Sequence, residues 1–316
     1  MPNFNGVWSL TTQYQYAADW SADNISPAAA AANGIAIISN ASGLQTVSVA
    51  TAGNSTDFGD FTTQRGKGGG FGSTTRGIVG GGSGASGVVN ILDFITFVTT
   101  GDATDFGDLT VAREEVTAHS SSTRGLVAGG DTGSKSDVVD YVTIASAGNA
   151  TDFGNLAAAN TSPLGAGSSV RMVVGGGIEG SRTDRIQYFT ISSTGNATDF
   201  GDLSAARQQG DALSSATRTV FTGGYESSSS NKLEYVTTDT TGNVTDFGDL
   251  SEGSRRLAST SNATRGIIAG GDGTNLRSKI EFITIASAGN AASFGNLLAN
   301  TDSCNSGFSS AHGGLQ

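Results

Sequence analysis

The sequence predicts an all-β fold, a six-bladed β-propeller of about 47 residues per blade whose ring is closed by the C-terminal strand. Three observations predict it. An Asp-Phe-Gly stretch returns with its phenylalanine at Phe58, Phe106, Phe153, Phe200, Phe247 and Phe294, spaced by 48 and then by 47 residues. A fixed interval of this size marks a repeat that buries its core against its neighbours. The 316 residues include 47 Gly, 3 Pro and only 14% charged residues, which suits short strands joined by tight turns. The two ends are also complementary. The first unit opens at Gly34-Ile35-Ala36-Ile37-Ile38 without a first strand, whereas after Phe294 the chain supplies a first strand with no unit to follow. Joining them removes two exposed sheet edges.

Residues 1–33 do not fit the repeat and form an N-terminal arm. It carries Trp8, Tyr14, Tyr16 and Trp20 and ends in Pro27 and an alanine run. Tryptophan and tyrosine supply much of the energy at interface centres, so the arm is expected to dock on a partner. The alternative is that it packs over its own propeller.

Residues 34–316 read as the propeller, each unit contributing four strands. An apolar strand such as Arg124-Gly125-Leu126-Val127-Ala128 stops at a double glycine, here Gly129-Gly130. Paired glycines permit positive φ and close backbone approach. A loop of varying sequence follows, then an aromatic and β-branched strand such as Tyr141-Val142-Thr143-Ile144. A Gly-Asn turn, as at Gly148-Asn149, leads into Asp-Phe-Gly, and a Ser/Thr/Ala-rich strand such as Thr117 to Ser122 leads back to the next arginine.

This order of apolar strand, double glycine, variable loop and later aromatic resembles the kelch repeat. The phenylalanine of Asp-Phe-Gly stands where kelch repeats carry tryptophan, so the resemblance is to a divergent kelch-like propeller. The shorthand Asn-Ala-Thr-Asp-Phe-Gly-Asp-Leu with a later Thr-Arg-Gly also resembles uncharacterised virion structural proteins of marine tailed phages. These resemblances imply a non-catalytic structural or binding protein on the surface of a phage particle, such as a tail fibre, spike or capsid decoration. The arm would attach to other virion proteins, and the propeller would face a host-surface glycan or protein. A bacterial adhesion or carbohydrate-binding propeller is the alternative. An intracellular kelch-type adaptor is a third reading, but it would bring an oligomerisation domain.

Two sets of residues stand out for contact chemistry. Asp57 and Arg76, Asp105 and Arg124, Asp152 and Arg171, Asp199 and Arg218, and Asp246 and Arg265 share one spacing, and both partners vanish together at Ser293 and His312. This joint loss leads to the expectation of a recurring salt bridge between neighbouring blades. The loops after each double glycine diverge on a repeating scaffold and are the expected binding surface. They are Ser83 to Asp93, Asp131 to Asp140, Ile178 to Gln187, Tyr225 to Glu234 and Asp272 to Glu281. Their candidate contact residues are Asp131, Lys135, Glu179, Arg182, Tyr225, Asp272 and Arg277.

The rest of the composition excludes classes of function. A formal charge of −11 argues against a nucleic-acid partner. One cysteine, Cys304, and two histidines do not make a four-ligand zinc site, and no cofactor or metal is expected. His119 and His312 lie nearly four repeats apart and are expected not to converge. No stretch reaches the length of a membrane span, and no basic region followed by an apolar one opens the chain, so neither membrane insertion nor secretion is expected. Of the sequons at Asn54, Asn149, Asn196, Asn243 and Asn262, four fall on the repeat's turn asparagine, which makes turn chemistry the better explanation.

Overall fold

The computed structural model describes residues 34–41, 43–273, 277–299 and 304–315. The arm residues Trp8, Tyr14, Tyr16 and Trp20 lie outside them, as does the side chain of Cys304. The fold is all-β and propeller-like: six four-stranded antiparallel sheets follow one another along the chain, with one additional three-stranded sheet. The third sheet shows the unit, its strands running Thr117–Ser120, Arg124–Ala128, Ser136–Thr143 and Thr151–Asn160 in spatial order. In the first sheet the strand Cys304–Ser309 pairs antiparallel with Ile35–Asn40, in the register Ile37 opposite Phe308.

Neighbouring sheets pack face to face, which is why the second strands of the third, fourth and fifth sheets are buried without interruption after their arginine rather than alternately. Leu126, Val139 and Phe153 of the third sheet pack with Met172, Val174 and Phe189 of the fourth. Phe153 meets Tyr141 and Phe189 edge-on at ring separations of 6.0 and 5.8 Å, a favoured aromatic geometry. The same arrangement joins Ile38 and Val47 of the first sheet to Ile267, Ile280 and Phe294 of the sixth. The Asp-Phe-Gly phenylalanine therefore fills the core between sheets.

The flanking residues of that stretch serve the same seams. The Asn149 Oδ1 accepts the Asp108 N–H at 3.1 Å, so the turn of the third sheet holds the outer strand of the second. Asn196, Asn243, Asn290 and Asn54 repeat the bond, the last reaching Asn296 of the sixth sheet at 3.0 Å. Four sequon asparagines are thus spoken for by turn contacts, and Asn262 caps its own turn by accepting the Arg265 N–H at 2.8 Å. Gly107 has to be glycine: its φ is +142° and a Cβ would sit 2.6 Å from the Gly148 backbone. Replacing Asn149 by alanine removes one such inter-sheet bond. We expect a loss of about 0.5–1.5 kcal/mol in urea unfolding, the usual net worth of a hydrogen bond.

The expected Asp to Arg salt bridges do not form. Among the described residues no ion pair joins Asp57 to Arg76, Asp105 to Arg124, Asp152 to Arg171, Asp199 to Arg218 or Asp246 to Arg265. The aspartate precedes the inward phenylalanine on an outer strand, so strand alternation turns it to solvent. The arginine lies over the aromatic ring of its own sheet, as Arg124 does at 4.5 Å from the Tyr141 centroid. Its guanidinium reaches the next sheet through backbone instead: Arg124 donates to the Ile191 carbonyl, Arg218 to Ile285 and Arg265 to Ala50. At His312 the chain has left the repeat, and its imidazole bonds the Gly72 carbonyl.

The charged pairs that do cross the seams sit elsewhere. Arg65 bonds Asp93 at 2.6 Å and Arg113 bonds Asp140 at 2.8 Å, all four side chains being buried. Each acid also accepts the linker from the preceding sheet, Asp140 taking both the N–H and the hydroxyl of Thr110. The Arg113 guanidinium further donates to the Val127 and Val138 carbonyls. Arg207 lies 2.9 Å from Glu234 in the same relation. At the corresponding positions of the fourth sheet both charges are gone: Asn160 donates to the Gly176 carbonyl and Gln187 accepts the Ala157 N–H. In the fourth sheet the pair is neutral at both positions, whereas in the sixth Ser254 replaces the arginine and the buried Glu281 remains, accepting the Ser251 N–H.

Candidate functional site

The first strands of the sheets, Gly69–Gly72, Thr117–Ser120, Leu164–Gly167, Asp211–Ser214 and Ala258–Ser261, lie each against the next. Cys304–Ser309 contacts both Ala258–Ser261 and Gly69–Gly72. Together they line a channel whose cavity measures about 110 Å³. One end is filled by the C-terminal residues. The 3-10 turn Gly313–Leu315 follows His312, and a Cβ at Gly314 would collide with the Ser120 carbonyl.

The histidines meet at this filled end, their rings 5.4 Å apart, contrary to the sequence expectation. Sequence distance misleads here because every first strand approaches the same axis. The His119 Nε2 is 3.1 Å from the Ser168 carbonyl and the His312 Nε2 is 3.0 Å from that of Gly72, so in each ring Nε2 carries the proton it donates. Burial lowers the His119 pKa to about 3, with His312 adding to the effect, and burial lowers that of His312 to about 4. The pair is a neutral structural contact, and among the described residues no group of three or more His, Cys, Asp or Glu could hold a metal ion.

The open end is different. Lys67, Glu115, Ser162, Gln209 and Arg256 line it, one from the linker entering each of five sheets. All five have left-handed backbones, with φ of 62°, 54°, 56°, 57° and 55°, and none is glycine. Their backbones are tied in sequence: the N–H of Glu115 donates to Lys67, Ser162 to Glu115, Gln209 to Ser162 and Arg256 to Gln209. Such conformations cost of order 1 kcal/mol apiece and gather where side chains are aimed for use. The side chains also differ. Lys67 pairs with Glu114 and Glu115 at 3.1 and 3.4 Å, and Glu115 accepts the Ser162 hydroxyl. Burial works against the charged Glu115, but the bond from Ser162 and the Lys67 charge hold its pKa below the ordinary value.

The variable loops surround this mouth. Asp131, Ile178 and Tyr225 pair with Glu114, Thr161 and Gln208, each the neighbour of an arc residue. Asp272 bonds the Arg255 guanidinium at 2.7 Å, which holds its carboxyl below the ordinary range. Tyr225 is flanked by Arg255 at 4.8 Å and Arg182 at 5.4 Å from its ring. Glu179 pairs with Arg185 in its own loop, Lys135 pairs back to Asp131, and Arg277 stands near enough to Asp272 to lower its pKa. The first loop contributes to the three-stranded sheet, Arg65–Gly66 with Ser83–Gly84 and Gly87–Val88. The candidate loop residues are therefore gathered on one face, around an arc that sequence reasoning missed.

Asp211 was missed as well. It lines the channel wall, where its carboxylate accepts the Ala212 and Ser259 N–H groups and faces no cation. Burial raises its pKa to about 8, against these two bonds. The unfolded chain releases this proton near pH 3.8 and the folded one near 8, so the folded state holds more protons between them. Stability from this group is then highest below about 3.8 and falls as pH rises to about 8, by on the order of 5–6 kcal/mol. The two histidines act in the opposite sense, since their neutral forms stabilise the fold above about 6.5 and that contribution is lost toward about 4. Asp211→Asn imitates the protonated acid. Thermal unfolding should show the variant gaining on the parent from about pH 5 to about pH 8 and levelling off above it, and parallel profiles would contradict the assignment.

A comparison of the chain with protein-family models and with curated proteins finds no match.

Proposed function

We propose that the chain is a six-bladed kelch-like propeller, closed through its C-terminal strand, that serves as a non-catalytic binding component on the surface of a phage particle. Closure is supported by the sixth and first sheets sharing the bonds found at other seams: the Asn54 turn, the Arg265 clamp and the packing of Phe294. One observation carries the functional reading. The repeated phenylalanine, turn asparagine and arginine are consumed by contacts between sheets, while the positions that differ collect on the loop face and the channel mouth. A conserved scaffold with one varied face is how repeat proteins present a binding surface. The neutral histidines, both bonded to carbonyls, support a structural role for the filled end.

In this reading the arm at Trp8 to Trp20 docks on other virion proteins and the loop face looks outward. Mass spectrometry of purified particles tests it. The chain should co-sediment with infectious particles at constant stoichiometry, and its recovery only in the soluble fraction of lysed cells would reject the proposal. A carbohydrate-binding propeller is the second reading, and the cavity at the mouth favours it.

A further inference from the structure

The channel mouth combines an open cavity with polar groups that the fold leaves unused. The Gln209 Oε1 is buried and has no hydrogen-bond partner, and Gln209 sits in a left-handed conformation that a glycine would adopt more cheaply. The side chain of Arg256, next in the arc, makes no hydrogen bond or ion pair among the described residues, whereas Lys67 and Arg255 are both paired. A half-buried guanidinium that makes no hydrogen bond, its charge felt by Asp272 only at a distance, beside an orphaned amide oxygen is an expensive arrangement for a fold to keep without use.

The wall below has one-sided chemistry. The hydroxyls of Ser214 and Ser261 donate to the Gly167 and Ser214 carbonyls, and those of Ser259 and Ser306 pair with Thr222 and Ser39. The donors of Ser214 and Ser261 are committed, so the lone pairs of their hydroxyls are what they offer to the cavity. The interior thus presents acceptors, Gln209 Oε1 among them, under a cationic rim. Phe71 and Phe308 add apolar surface to the lining. A fitting ligand donates several O–H bonds, carries an anion at one end and shows an apolar face. At about 110 Å³ the space holds on the order of ten waters, the scale of one sugar ring.

We propose that this mouth binds a single sugar residue bearing a carboxylate, a hexuronate or a related acid at the end of a glycan. Arg256 receives the carboxylate and the Gln209 Oε1 accepts a ring hydroxyl. The proposal rests on the loop face being a binding surface and gives that surface a ligand class.

Calorimetric titration of the full chain with methyl glucuronide, and separately with methyl glucoside, tests it. Saturable binding of the glucuronide is expected, with the glucoside at least about tenfold weaker, the value of a charge-assisted bond. Arg256→Gln should reduce the preference for the acid. Gln209→Gly should weaken both sugars while leaving the thermal midpoint unchanged or higher, because it relieves the backbone as it removes the amide. Equal affinity for the two sugars, unchanged binding in both variants, or no heat with the glucuronide at tens of millimolar would each overturn the proposal. Particle association is measured separately, so failure of sugar binding and failure of the virion reading are distinguishable.

Discussion

Arg113→Ala should destabilise the protein by about 3–5 kcal/mol, one of the two largest effects expected, because it leaves the buried Asp140 carboxylate without its counter-charge. The loss includes the bonds to the buried Val127 carbonyl and the half-buried Val138 carbonyl. The chain itself supplies the control. Asn160 and Gln187 fill the same positions in the fourth sheet without charge, each bonded to backbone. The double variant Arg113→Asn with Asp140→Gln should therefore recover most of the loss. At the next seam Arg207 is buried beside Glu234, yet three of its guanidinium nitrogens make no hydrogen bond to protein groups. The same neutral exchange there should cost little or be stabilising, since a poorly satisfied buried ion pair does not repay its desolvation. Urea unfolding of the three variants decides it. If the single and double variants at Arg113 lose the same amount, the pair is not the unit described here.

Phe153→Ala should cost a similar 3–5 kcal/mol. Its ring is buried between the third and fourth sheets, and truncation removes edge-on contacts to both Tyr141 and Phe189 together with apolar burial. The cavity would open at a seam between two sheets, where neighbouring strands are held by the Asn196 turn and the Arg124 clamp and have little freedom to collapse. Phe153→Leu should cost roughly half as much, because most of the volume remains. An effect below about 1 kcal/mol for the alanine variant would show that the seam can close over the gap.

The repeat made most of the scaffold legible. Phe58 to Phe294 gave the number of units, the double glycines gave the ends of the second strands, and the mismatched termini pointed to the pairing of Cys304–Ser309 with Ile35–Asn40. The loops follow the same strand in each unit and so stand beside one another. Reading contacts from the repeat failed for Asp105 and Arg124, and the reason is general. In a periodic chain every pair of consensus positions keeps a constant spacing and is lost together wherever the repeat is interrupted. Spacing therefore carries no information about touch. The pair that does touch, Arg113 with Asp140, changes chemistry at both positions, to Asn160 and Gln187, while the repeat continues, although in the sixth sheet only the arginine is lost, at Ser254 opposite Glu281.

The mouth was hidden for another reason. Lys67, Glu115, Ser162, Gln209 and Arg256 share no side-chain property; what they share is a backbone angle and a chain of N–H to carbonyl bonds between linkers from successive sheets. Those bonds exist only once the sheets are side by side, so nothing local in the sequence marks the positions. Asp211 is similar, its setting created by a strand from the next sheet supplying the Ser259 N–H. The sequence by itself thus determined the strands, their order and the seams they pack through, because local alternation and turn chemistry act within a single unit. Only the tertiary structure decided where the polar groups converge, since that depends on distances between units that the chain, read as a string, does not contain.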